Sequence, residues 1–218
     1  KKCPKLFLKL CVSLDGVQTD HDSIRGVDGL SQKVGRTLKE LSKIQKKYPR
    51  LSFLTNTVFI KDNEGKILDI LRYANEMYNI DYSTIVLMRG DVRDPSQYDF
   101  NILKYIKTIL NFRKFYLQKI KIINLNALIQ YVLSITVQDY IINNYIRKSR
   151  DLPCYALKNL IVIDDIGTVY SCEPLEEKGK IGNLRKSNYN LNSLISKPFS
   201  KNLRKSIDKK ECNCTWEN

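Results

Sequence analysis

Apolar residues recur along this chain in two rhythms, one suited to strands and one to helices. Residues 5–14 open with a dense apolar run, Leu6, Phe7, Leu8, Leu10, Cys11 and Val12, ahead of the turn Asp15-Gly16. That run predicts a buried strand. After a polar loop at residues 17–29, Val34, Leu38, Leu41 and Ile44 fall at spacings of four, three and three, which is one face of a helix over residues 31–48 ended by Pro49. A second strand is expected over residues 51–60, a turn at Asp62-Asn63-Glu64-Gly65, and a helix over 66–78 with Ile67, Leu71 and Ala74 on one face. A third strand, residues 83–88, ends in the loop Arg89-Gly90-Asp91-Val92-Arg93-Asp94-Pro95. Strand, helix, strand, helix, strand with short connections is the signature of parallel βα units.

Neither Gly nor Pro occurs between Ser96 and Leu152, so two long helices are expected, over about 99–121 and 125–148. The pattern then changes. Leu160 to Ile163 is apolar, Asp164-Asp165-Ile166-Gly167 reads as a turn whose Asp and Gly tolerate positive φ, and Thr168 to Ser171 reads as a returning strand. A loop-rich tail follows. These shifts divide the chain near residue 150, into a domain over residues 1–150 and a smaller one over 151–218.

The hairpin changes the picture because it carries cysteines. Cys154 precedes its first strand, Cys172 closes its second, and Cys212 and Cys214 follow about forty residues later. Folding the hairpin brings Cys154 and Cys172 together, and the distant pair can complete a set of four thiolates. Such a set selects zinc or an iron–sulfur cluster. Two disulfides or buried free thiols are the plainer alternatives, but neighbours one residue apart make poor mutual disulfide partners and workable joint ligands, and nothing in the sequence marks secretion. Spacing alone leaves zinc and iron–sulfur both open. Cys3 and Cys11 stand outside the set, with Cys11 expected to pack as a small hydrophobe.

Charge narrows the partners. The net charge of +14 raises nucleic-acid binding, yet the lysines are spread along the whole chain, with modest clusters at 43–47, 201–204 and 209–210. Solvated surface lysines account for that spread better than a nucleic-acid interface does. The most apolar later stretch, residues 125–146, is broken by Gln130, Gln138 and Asp139, which argues against a membrane span. A cytoplasmic, reducing location fits these features.

Two stretches carry a family resemblance. Val12-Ser13-Leu14-Asp15-Gly16, followed by His21-Asp22-Ser23-Ile24-Arg25-Gly26, resembles the fourth-strand region of radical S-adenosylmethionine enzymes with a C-terminal SPASM or twitch extension. The Cys154-to-Cys172 spacing around Gly167 is similar to the start of that extension, and Leu87-Met88-Arg89-Gly90 looks like the family's sixth barrel strand. The resemblance implies an α/β fold: the second half of a partial (β/α)6 barrel, then a small cysteine-rich β-hairpin domain for an auxiliary cluster. It implies that Ser13 contacts the cofactor's ribose, that Arg25 grips its carboxylate, and that backbone near Leu87 meets adenine. It implies a [4Fe–4S] cluster on Cys154, Cys172, Cys212 and Cys214, with Trp216 as a shield.

The family's Cys-x3-Cys-x2-Cys loop, which holds the cofactor-activating cluster, is absent from these residues. The chain therefore resembles the C-terminal portion of such an enzyme. In the intact protein a 5′-deoxyadenosyl radical abstracts hydrogen from substrate, a peptide in many relatives with this extension, and the missing half of the barrel becomes a partner. Alone, the chain is expected to lack that reaction. His21 is expected in the loop before Arg25. Arg89, Asp91, Arg93 and Asp94 either position a polar substrate or pair with one another. The competing reading is a zinc-stapled, basic nucleic-acid-binding module.

Overall fold

The computed structural model describes residues 6–80, 82–90, 92–118, 125–212 and 214. Cys3, Asp91 and Trp216, named above, lie outside the described residues. Two compact units are present, residues 1–88 with 96–124, and residues 89–95 with 125–218.

The first unit is built on a parallel three-stranded sheet in the order β1-β2-β3, from β1 (Leu8–Ser13), β2 (Leu51–Phe59) and β3 (Tyr82–Leu87). Ser13 pairs in register with Asn56, and Phe59 with Leu87, so the three strands end along one edge. β2, the central strand, is buried or half-buried at every position. That is how a strand flanked on both sides reads.

The loop expected at residues 17–29 is not all loop. It contains α1 (Thr19–Arg25), closed by Gly26 in the left-handed conformation. Seven residues with a single buried side chain give no apolar stripe, so periodicity missed it. α2 (Leu30–Lys47) stops before Pro49, and α3 (Ile67–Tyr78) ends on Asn79 at φ 49°; both pack on β2. α4 (Ile102–Leu117) starts at Asn101, whose side chain accepts hydrogen bonds from the amides of Leu103 and Lys104. Its aromatic face meets the sheet: Tyr82 stacks edge-on against Phe112 with ring centres 6.2 Å apart, and Phe59 does the same to Tyr105 at 5.1 Å.

Cys11 is exposed, contrary to expectation. β1 lies at the edge of the sheet, where only Leu10 and Val12 are half-buried; Cys11 sits on the other side of the pleat, where no described element covers it.

The second unit opens with α5 (Leu125–Arg147). Beyond it, β4 (Val162–Ile163) and β5 (Thr168–Tyr170) pair antiparallel across a turn in which Gly167 adopts φ 83°. The tail is more regular than a loop-rich reading allows. β6 (Lys180–Asn183) adds a third antiparallel strand beside β5, and α6 (Leu191–Ile195) and α7 (Pro198–Asp208) follow. Leu157, Val169, Ile181 and Leu194 form one small core; Ala156, Cys172 and Ile207 form another. No described helix is long and apolar enough to cross a membrane.

Candidate functional site

Two groups of side chains matter, one in each unit. In the first, the ends of β1 and β2 are tied by a dense polar network. The Asp15 carboxylate accepts from the Val58 amide at 2.8 Å and pairs with Arg25 Nη2 at 2.5 Å. The Asp15 amide donates to His21 Nδ1 at 3.1 Å, and Thr57 Oγ1 donates to the Leu14 carbonyl at 2.7 Å. Asn63 is fully buried, donates from Nδ2 to the carbonyls of Asp15 (3.0 Å) and Val58 (2.8 Å), and accepts from the Ile60 amide at 3.0 Å. Gly16 is required there, because a Cβ would stand 2.5 Å from the His21 backbone nitrogen.

His21 therefore lies on α1 and is buried, rather than in a loop. Burial pushes its pKa down, the Asp15 carboxylate pulls it up, and Arg25 pushes it down again. The neutral ring fits this setting: Nδ1 accepts, so Nε2 carries the proton. Asp22 closes the following turn by accepting from the amides of Gly29 (2.9 Å) and Ser31 (2.6 Å), and those bonds, led by Ser31, hold its pKa below the ordinary carboxylate value.

Ser13 is exposed at the end of β1, and Leu87 is buried at the end of β3. Arg25 keeps 36% of its side chain exposed while paired to Asp15. Ser13, Leu87 and the Asp15–Arg25 pair thus belong to the C-terminal end of the parallel sheet, where ligands of such sheets bind. Of the loop after β3, Arg89 is half-buried, and Arg93 and Asp94 are exposed. From sequence, Thr57 is placed only near a strand end and Asn63 only in a turn, with no bonding role for either. Their only signal was a polar residue inside or just after an apolar run.

The second group is a cavity of about 70 Å³ lined by Cys154, Cys172, Cys212 and Cys214 together with Arg150 and apolar residues including Pro153, Leu175 and Ile207. All four cysteines are free thiols, Cys172 buried and the others half-buried. The Ala156 amide donates to Cys154 Sγ at 3.4 Å. α7 holds the Cys154 loop: Arg204 Nη1 donates to the Cys154 carbonyl at 3.0 Å and to the Ala156 carbonyl, and Arg204 pairs with Asp208. On α5, Asn144 Nδ2 donates to the Cys214 carbonyl at 3.3 Å. Burial pushes the Cys172 thiol up, and Cys214 and Cys154 push it further, against the Leu175 amide, which pulls it down.

Among the described residues no three His, Cys, Asp or Glu side chains gather closely enough to hold a metal ion. The four sulfurs border a space instead of converging on a point. A tetrahedral zinc draws its sulfurs to within about 2.3 Å of a single centre. A void needs only about 10–15 Å³ to take one water, so this one has room for a group of several atoms. Four thiols around one cavity are the donor type that an iron–sulfur cluster or zinc would take.

No family model and no curated protein matches the sequence. Solved structures do. The structure described as "Native anSMEcpe with bound AdoMet" matches with a TM-score of 0.57 and 16% identity, over 96% of this chain and 58% of that one. The His-tagged form matches with a TM-score of 0.58 and 16% identity, over 94% of this chain and 54% of that one. A form with AdoMet and a Kp18Cys peptide matches with a TM-score of 0.54 and 16% identity, over 96% and 57%. These neighbours are anaerobic sulfatase-maturating radical S-adenosylmethionine enzymes. The chain shares their fold. It spans a little over half the length of each matched chain.

Proposed function

We propose that the chain is the C-terminal portion of a radical S-adenosylmethionine enzyme that carries an auxiliary [4Fe–4S] cluster on Cys154, Cys172, Cys212 and Cys214. The observation that carries this reading is the single cavity lined by four free thiols in a chain of that fold. Held there, such a cluster supplies an electron acceptor or a substrate-binding iron. The rest is done by the protein. α7 and α5 hold the Cys154 and Cys214 backbone through Arg204 and Asn144, while Pro153, Leu175 and Ile207 form an apolar part of the cavity wall. Thiolate ligands of this kind suit a reducing cytoplasm.

At the strand ends, Ser13 offers a hydroxyl to a ribose and Arg25 a guanidinium to a carboxylate, and backbone at Leu87 offers amide groups to adenine. Asp15 keeps Arg25 oriented for that task. The open edge of β1, with Leu6, Phe7 and Leu8 exposed, supports the reading that further parallel strands complete the barrel in the intact enzyme. A peptide is the proposed substrate, since two of the similar structures hold one.

Anaerobic reconstitution with iron and sulfide tests the reading. About four irons and four sulfides per chain are expected, as for a four-thiolate cubane. They should be lost in Cys154→Ala and Cys172→Ala. Zinc uptake with no iron–sulfur absorbance would overturn it.

A further inference from the structure

We propose that Arg150 is the positioning residue of the four-cysteine cavity, donating from Nε and Nη1 to the sulfurs of the bound group and offsetting its negative charge. This rests on the cluster reading above. Arg150 follows α5 directly, lines the cavity, and is 4% exposed. Its Nη2 donates to the Ile207 carbonyl at 2.6 Å, which anchors the guanidinium against the end of α7. Nε and Nη1 are buried with no partner. Among the described residues no ion pair relieves the charge either: the adjacent Asp151 pairs with Arg147 at 3.4 Å.

A buried guanidinium with two idle donors is costly, because burying an unpaired charge forfeits its hydration. Such an arrangement persists when something else supplies acceptors. The cavity wall supplies them, since four thiolates carry four negative charges that an iron–sulfur core offsets only in part. Arginine suits the place better than lysine, because its planar fork aims several donors at once. Hydrogen bonds to cluster sulfurs and nearby charge are among the features that set reduction potential. An arginine serving only Ile207 would leave the potential unaffected by its removal.

The test uses the whole 218-residue chain, reconstituted anaerobically as wild type, Arg150→Lys and Arg150→Met, with folding checked by circular dichroism. Iron release to a chelator and the midpoint potential of the cluster are then measured. Arg150→Met should release iron about 10- to 100-fold faster, the usual effect of losing an outer partner. Its potential should move to a more negative value. Arg150→Lys keeps the charge without the fork and should fall between the two. Should the methionine variant not fold, the lysine variant decides. A folded variant matching wild type in both release and potential overturns the role while leaving the cluster reading intact. A wild-type chain that takes up no iron overturns both.

Discussion

The two units differ in how their buried polar groups are satisfied. In the parallel-sheet unit, Asp15, Thr57 and Asn63 find partners within the chain, and His21 Nε2 is a buried nitrogen left without one. In the cysteine unit, Arg150 keeps two idle nitrogens, Asn144 Oδ1 is buried without a partner, and four thiols face a void. Native interiors satisfy nearly all such groups. Of these groups, Arg150 and the four cysteines line one cavity. The strand-end network of the first unit closes within the chain except at His21 Nε2, while in the second unit Arg150 leaves two donors open beside the thiol-lined cavity.

The largest effect should come from breaking the second unit. Cys172→Ala removes the most buried thiol and should abolish iron incorporation, read by iron analysis, with the sheet unit's circular dichroism unchanged. Loss of the sheet signal as well would erase the contrast. Next, Phe59→Ala deletes a fully buried ring that packs on Phe100 and Tyr105. It should cost about 3–5 kcal/mol in urea unfolding, with iron binding per folded chain retained.

Asn63→Ala should cost about 2–3 kcal/mol, because it strands an amide and two carbonyls. A cost near zero would mean that water replaces the side chain and that the network is looser than drawn. A subtler test concerns His21. Its folded pKa is lowered, chiefly by burial, so the unfolded chain binds more protons as pH drops through the ordinary histidine value near about 6.5. The stabilisation is full above that value and is lost as pH falls below it. Asp15 and Asp22 pull the pKa up and Arg25 pushes it down, so the slope reports their balance. The stability advantage of wild type over His21→Gln should shrink between about pH 7.5 and about pH 5.5. An advantage constant over that range would contradict a neutral, accepting ring. The exposed Lys43–Glu40 pair serves as the smallest case: Lys43→Ala should change stability by less than about 0.5 kcal/mol.

Much of the sheet unit was legible in the sequence because its signals are periodic. The stripe Val34, Leu38, Leu41 and Ile44 gives α2, and Pro49 marks its end. α1 escaped because its hold on the fold is one buried histidine and a carboxylate that closes a turn. Cys11 was misplaced because a strand's apolar content does not say whether a neighbour covers both faces. Asn63 reads the backbone of a segment 48 residues away, and no local pattern records that.

In the cysteine unit the thiols were legible by residue type, and the turn at Gly167 by its chemistry. α7 was not, because its half-buried Leu203 and buried Ile207 are diluted by exposed lysines. Arg150 could not be found from sequence. A charged residue reads as surface until a structure buries it.

If the proposal holds, the four thiols jointly bind one polynuclear group. A Mössbauer spectrum of the anaerobically reconstituted chain, taken with its iron and sulfide content, tests it most directly. One cubane species at about four irons per chain is expected, absent from Cys154→Ala. Mononuclear iron alone, or zinc in its place, would contradict it.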